Sequence, residues 1–202
     1  MNPSADPSPV APPAAGPPRL THAQASAYAS PWTLRERLGL LLWNFTWAAL
    51  CAWTPKPLNF WRLIVLRCFG AKLSGTPFVH SRARIQIPWR LTMRHRACLG
   101  DRANAYTLGP VVIEEAATIC QEAYLCTGTH DFSSPAIPLQ TSPVHIGAHA
   151  FVGARAFVLP GISVGPRAII GACSVVTKNV PADAIVAGNP ARAIGRRTKD
   201  EG

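Results

Sequence analysis

A six-residue period is the strongest constraint in this chain. Ile146, Val152, Val158, Val164, Ile170 and Val176 follow one another at intervals of six without a slip. Gly147, Gly153, Gly165 and Gly171 directly follow four of them, and Ala150, Ala156, Ala168 and Ser174 recur four positions on. Val and Ile together make up about one residue in eight, so six hits in register arise by chance roughly once in 260,000 starts. Six matches neither the 3.6 residues of a helical turn nor the alternation of a simple strand. It matches short strands joined by turns, in which every sixth side chain points into a prism. Three such faces close one coil of a β-helix, and stacked coils bury a continuous aliphatic column. The expectation for the glycines is that they permit the bend between faces.

Upstream the period is degraded. Ile87, Met93, Leu99 and Ala105 keep it, with only Gly100 in the glycine position; Ile113, Ile119 and Leu125 keep it again after a two-residue slip. From Leu125 to Ile146 is 21 residues, not a multiple of six. Residues 127–143, TGTHDFSSPAIPLQTSP, are therefore expected to leave the coil as a loop, which their prolines and hydroxyl residues suit. About five coils are expected in all.

The first third of the chain is different. Seven of the chain's 20 prolines fall in the first 18 residues, so residues 1–30 read as a disordered tail without the basic start or apolar run of a secretory signal. Residues 31–73 read as an amphipathic helical lead-in, broken into two helices at Thr54-Pro55 and Pro57. Leu38 to Trp53 is 16 residues and holds Asn44 and Thr46, short of the ~20 apolar residues of a bilayer span. Two readings stay open for residues 32–69. They pack on the domain or a neighbouring subunit, or they form an interfacial anchor whose Trp, Leu, Arg35, Arg37, Lys56, Arg62 and Arg67 meet lipid headgroups.

The formal charge is +10, and ten Lys/Arg lie between Lys56 and Arg102 against the single acid Asp101. Zinc-finger spacing, RNP-like aromatics and a helix-turn-helix pattern are all missing, so nucleic acid is the weakest partner; anionic lipid or a phosphorylated ligand remains. The six cysteines form no C-x-x-C pair and read as small buried hydrophobes in a reducing compartment.

Together these segments resemble the isoleucine-patch hexapeptide transferases, and most nearly the colanic-acid-type exopolysaccharide O-acetyltransferases. The resemblance covers roughly residues 35–197. It is carried by FWRLIVLRCFGAKL (60–73), PWRL (88–91), LCTGTHDF (125–132) and the run from HIGAHAFVG to VAGNPARAI (145–194). It implies a mainly β protein, a left-handed parallel β-helix over 74–195 with an active-site loop at 127–143 and a basic or polar tail at 196–202. It also implies a homotrimer that binds acetyl-CoA as co-substrate between subunits, with no metal. The acceptor implied is a sugar hydroxyl, free or on a lipid-linked glycan. The implied location is the cytoplasm, with residues 32–69 touching the inner face of the cytoplasmic membrane.

His130 matches the family's catalytic histidine, and an imidazole with an ordinary pKa near working pH is an efficient base for a hydroxyl. Asn104, Asp131 and Gln121 are candidates for acceptor contacts, Asp131 also for orienting the imidazole. Gly153, Ala154, Gly171 and Ala172 match positions along the pantetheine arm; Thr177, Lys178 and Arg192 match the adenine and phosphate end. Phe151 stands where many relatives have Trp, and Met93-Arg94 and Ile113-Glu114 replace aliphatic-Gly pairs. The alternatives are acetylation of a small free sugar or other soluble hydroxyl compound, and a non-catalytic or metal-binding scaffold. A metal site would need a histidine trio that His80, His95 and His130 do not convincingly supply.

Overall fold

Every sixth side chain does point inward. In a computed structural model, of which residues 19–22, 24 and 30–198 are described, the chain winds into a triangular prism of stacked coils. The first face holds the strands Lys72–Leu73, Leu91–Met93, Val111–Ile113, Val144–Ile146 and Ser163–Val164, paired in parallel. The second holds Phe78–Val79, Cys98–Leu99, Thr118–Ile119, Phe151–Val152, Ile169–Ile170 and Ala184–Ala187, closed by the antiparallel Arg192–Arg196. The third holds Arg84–Ile85, Asn104–Tyr106, Tyr124–Cys126, Phe157–Val158 and Val175–Val176. Each strand pairs with its counterpart one coil above and one below, so registers such as Leu99↔Ile119 and Val152↔Ile170 set one aliphatic side chain over the next.

That column is the core. Met93, Leu99 and Ala105, then Ile113, Ile119 and Leu125, then Ile146, Val152 and Val158 are fully buried, and Ala97, Ala103, Ala117, Ala123, Ala150, Ala156 and Ala168 fill the corners between them. Each large aliphatic side chain so buried contributes about 1.5–3 kcal/mol.

The bend is made differently from expectation. Third after the inward residue, at the two regular edges, stand Arg96, Arg102, Ala116, Glu122, His149, Arg155, Arg167 and Cys173, all with φ between 53° and 60°. These are left-handed positions for ordinary residues, and the strain is offset by hydrogen bonds to the coil below, such as Glu122 N–H to Asp101 O (2.9 Å) and Cys173 N–H to Ala154 O (2.8 Å). The repeat glycines serve clearance instead. A Cβ on Gly153 would lie 2.6 Å from Ala172 N, and one on Gly165 2.4 Å from Ala182 N.

The first coil was hidden by a coincidence of spacing. Its inward residues are Leu73, Val79 and Ile85, not Ile87, so there are six turns rather than about five. Ile87 is buried in a separate small cluster with Leu108 and Leu139. From Ile85 to Met93 and from Ala105 to Ile113 is eight residues, from Leu125 to Ile146 is 21, and every other interval up to Val176 is six. All irregular connections therefore run from the third face to the first, along one edge of the prism.

The open end of the first coil is capped by two helices. Helix α1 (Leu34–Leu50) starts at a Thr33/Glu36 capping box, and helix α2 (Asn59–Cys68) follows the Pro55–Pro57 turn. The Trp43 indole N–H donates to Ile85 O (2.8 Å), and Asn59 brackets the strand at Pro77 O and Val79 N. Arg62 donates to Val79 O (2.8 Å), to the Thr54 hydroxyl and to Pro55 O. Arg62, expected at a headgroup boundary, is instead fully buried and satisfied by neutral oxygens. Of the N-terminal tail, residues 1–18, 23 and 25–29 lie outside the described residues, as do 199–202 at the other end. Leu20–Thr21, placed in that tail by composition, is a strand paired with Leu139–Thr141. Cys51 and Cys126 are buried as expected of small hydrophobes, but Cys68 and Cys173 are exposed.

Gly153→Ala is expected to lower stability by about 1–3 kcal/mol in chemical denaturation, because the added methyl meets backbone. Ala116→Gly, at a left-handed corner, is expected to leave stability unchanged or to raise it. Equal losses in both would contradict the division of labour between clearance and bend.

Candidate active site

Two threonines build the base of the irregular edge. Thr107 accepts from Ile87 N–H (2.7 Å) and donates to Ile87 O (2.9 Å); one coil on, Thr127 accepts from Gly109 N–H (2.8 Å) and donates to Tyr106 O (2.5 Å). Both are fully buried, so the long connections start from satisfied backbone. Beyond Thr127, the 127–143 segment is not an irregular loop but a hairpin. Gly128–His130 pairs antiparallel with Leu139–Thr141, and Leu20–Thr21 adds a third strand on the far side. His22 N–H donates to Leu139 O (2.9 Å) and Leu139 N–H donates to the Gln24 side chain (2.7 Å). Beneath lie Ile87, Leu108 and Leu139 with Trp32, Leu40, Trp89 and Tyr106. The Arg90 guanidinium sits 4.7 Å over Trp32 and bonds Leu108 O and Glu36, tying the start of α1 to this edge.

His130 ends the first strand of the hairpin and is exposed. Its Nδ1 lies 2.9 Å from Ile137 O. A carbonyl only accepts, so Nδ1 carries the proton and Nε2 the free lone pair. Ile137 holds φ at +45°, a left-handed conformation that is rare for a β-branched residue. That turn is what aims its carbonyl at the imidazole. Asp131 is not the orienting group: its carboxylate accepts from Ser133 N–H (3.0 Å) and Oγ (2.6 Å), bonds that hold it below the usual carboxylate range.

The other sequence candidates fall into three places. Asn104 stands on the outside of the third face, between Arg84 and Tyr124 in the ladder. Gln121 lies on the edge between the second and third faces, its carbonyl accepting from Arg155 N–H (3.1 Å). Gly153, Ala154, Gly171 and Ala172 stack above it on that same edge, with Ala172 N–H and Gly171 C next to Gly153. The whole third face separates them from His130, so one chain does not bring the two sets together. Lys178 and Arg192 do share a site. With Asn179, Val180 and Pro181 they line a recess of about 250 Å3 that has no acidic side chain among its described lining residues. Thr177 precedes Lys178 but does not line it. Two cations in one recess fit the phosphates of a nucleotide end.

Sequence reasoning missed the aromatic run on the third face. Tyr124 stacks on Phe157 (4.7 Å between centroids, 9° between planes) and tilts against Tyr106 (5.7 Å). Burial pushes the Tyr124 phenol up to about 12. The signal was available, because Tyr124 and Phe157 each directly precede an inward residue, Leu125 and Val158. Where Arg94 and Glu114 replace glycines, Arg94 (3.7 Å) and His145 (3.4 Å) both flank the Glu114 carboxylate, so polar contacts bridge the early coils. Phe151 is exposed on the second face. Among the described residues no three His, Cys, Asp or Glu side chains are grouped to hold a metal.

Residues 143–178 match the family model for the bacterial transferase hexapeptide of six repeats. Over 160 residues the chain is 38% identical to the putative colanic acid biosynthesis acetyltransferase WcaF of Escherichia coli K12, covering 79% of this chain and 88% of that one. The chain belongs to the hexapeptide-repeat acetyltransferases. Its fold is shared with the hexapeptide-repeat acetyltransferase of Vibrio cholerae complexed with acetyl-CoA (TM-score 0.76, 16% identity, 85% of this chain and 94% of that one). It is shared also with a maltose O-acetyltransferase of Clostridium difficile (TM-score 0.71, 20% identity, 83% and 90% covered). In this hexapeptide-repeat acetyltransferase the regular coils are those matched by the family model, and the hairpin with His130 lies just before them.

Thr127→Val is expected to cost about 1–3 kcal/mol, since Gly109 N–H would stay buried without an acceptor. A thermal melt reads the loss, and an unchanged midpoint would show that the threonine rung does not hold the hairpin.

Proposed function

We propose that the chain transfers acetyl from acetyl-CoA to a sugar hydroxyl in the assembly of a colanic-acid-like exopolysaccharide, with His130 as the general base. The observation that carries this reading is the imidazole itself, on the irregular edge with Nδ1 engaged by Ile137 O and Nε2 left to accept. The kinship to WcaF supports the substrate class. Nε2 takes the proton of the acceptor hydroxyl as its oxygen attacks the thioester carbonyl. The new C–O bond forms, the C–S bond breaks, and the proton passes from Nε2 to the departing CoA thiolate, so the histidine ends as it began. No covalent enzyme intermediate is needed.

In this reading Lys178 and Arg192 hold CoA phosphates, with Thr177 at the adenine end. The thin pantetheine arm runs along Gly153, Ala154, Gly171 and Ala172, where small residues let it approach the backbone. Asn104, Gln121 and Asp131 face the acceptor. Because the glycine edge and the His130 edge are one prism face apart within a chain, the complete site forms between copies, in a homotrimer. The acceptor is a glycan intermediate at the inner face of the cytoplasmic membrane. Among the described residues no helix is long and apolar enough to cross a membrane, so such a contact is peripheral.

His130→Ala is expected to lower turnover by about 10²–10⁴-fold while acetyl-CoA affinity, measured by calorimetry, is kept. Turnover is followed as free thiol released from acetyl-CoA in the presence of purified glycan or of maltose. Undiminished release by His130→Ala contradicts the mechanism, and release with maltose alone contradicts the polysaccharide acceptor. Replacing Lys178 and Arg192 by Ala is expected to raise the KM for acetyl-CoA about tenfold or more with kcat nearly unchanged.

A further inference from the structure

Helix α1 is apolar on two opposite sides. One side, with Gly39, Leu40, Trp43 and Trp47, packs on the first and second coils. On the other, spaced three and four apart, stand Leu34, Leu38, Leu41, Leu42 and Phe45, exposed by 57–71% in the single chain. Trp53 (70%) follows the helix, and Phe60 (59%) and Ile64 (45%) stand on the outer side of α2. A helix apolar on two opposite sides is normally covered on both, and so many large exposed apolar side chains are rare on a free surface. Both helices reach the same first coil, α1 through Trp43 to Ile85 O and α2 through Arg62 to Val79 O. Both helices are thus anchored on the first coil, at the other end of the coil order from the recess of Lys178 and Arg192.

Charge decides what covers these exposed sides. Arg35 and Arg37 flank the leucine stripe, and Lys56 and Arg67 are exposed at α2. The sole acid between residues 30 and 100 is Glu36, which is turned to the Thr33 cap and to Arg90 (3.3 Å). A second copy meeting this surface patch to patch, as in a two-fold dimer, would set four cations against four with no carboxylate between them. An anionic lipid surface would neutralise them while its acyl boundary took up the leucines and aromatics.

We propose that the exposed outer sides of α1 and α2 bind an anionic lipid bilayer. This inference does not rest on the acetyl-transfer reading. It narrows the two sequence readings of residues 32–69 to a division by side: inward residues pack on the domain, outward residues meet lipid. Arg62 belongs to the first group and leaves the set of headgroup contacts.

The test is co-sedimentation of the full chain with phosphatidylcholine vesicles, with and without phosphatidylglycerol. Binding is expected to the anionic vesicles, at least about tenfold tighter than to the neutral ones, and to weaken as salt screens the cations. Leu41→Asp with Phe45→Asp changes only exposed side chains, so its thermal midpoint should match the parent while its binding falls at least about tenfold. His130→Ala should bind vesicles as the parent does, which separates this outcome from the fate of the mechanism. Equal binding by parent and Leu41→Asp/Phe45→Asp overturns the proposal. So does a parent that binds no vesicle, including one whose oligomer shrinks when Phe45→Asp is introduced, since the apolar side would then lie between copies.

Discussion

One aliphatic side chain per strand, stacked on the one below at the ~4.8 Å spacing of paired strands, is what the rest of this molecule depends on. Such a column forms only if the corners stay thin. Two devices keep them so. Glycines at 147, 153 and 165 leave room where a Cβ would meet the next coil's backbone, and ordinary residues in the left-handed region turn the chain through the corner. The second device costs on the order of 1–2 kcal/mol per residue before the inter-coil hydrogen bonds offset it. Only a cooperative stack can carry that strain repeatedly, which suits a fold whose stability is shared between neighbouring coils.

The same constraint places the candidate site. At two edges of the prism an insertion would break the register of everything above it, and there the spacing stays at six from Leu73 to Val176. Freedom is confined to the third edge, with its intervals of 8, 8 and 21. The hairpin carrying His130 grows from this edge on the Thr107 and Thr127 rungs, braced below by Trp89 and Leu108 and beside by the strand Leu20–Thr21. A rigid repeat thus presents one exposed imidazole whose tautomer is set by a single strained carbonyl, that of Ile137.

What was legible in the sequence was what the period controls. The strict run from Ile146 to Val176 announced the column, and its break announced the segment with His130. The first coil was misread because Ile87 falls six before Met93 by coincidence; burial in a side cluster and burial in the column look alike in a sequence. The role of the glycines was misjudged for a related reason. A glycine required by a neighbour's backbone and one required by its own φ carry the same letter, and only coordinates separate them. Asp131 illustrates the limit on adjacency, since the next residue but one, Ser133, captured its carboxylate. Arg62 could not be told from surface arginines, because its acceptors are main-chain oxygens that composition does not display.

Because His130 and the glycine edge lie a full face apart, the proposed mechanism draws the hairpin from one copy and the small-residue edge from another. The direct measurement is complementation between two inactive variants, His130→Ala, which lacks the base, and Ala172→Trp, which obstructs the other edge at an exposed corner. Each is inactive alone. Co-refolded in equal amounts as mixed trimers, they regain roughly a quarter of the parent rate, because half of the hairpins and half of the edges are intact and meet at random. A mixture as inactive as its components would contradict a site built between copies.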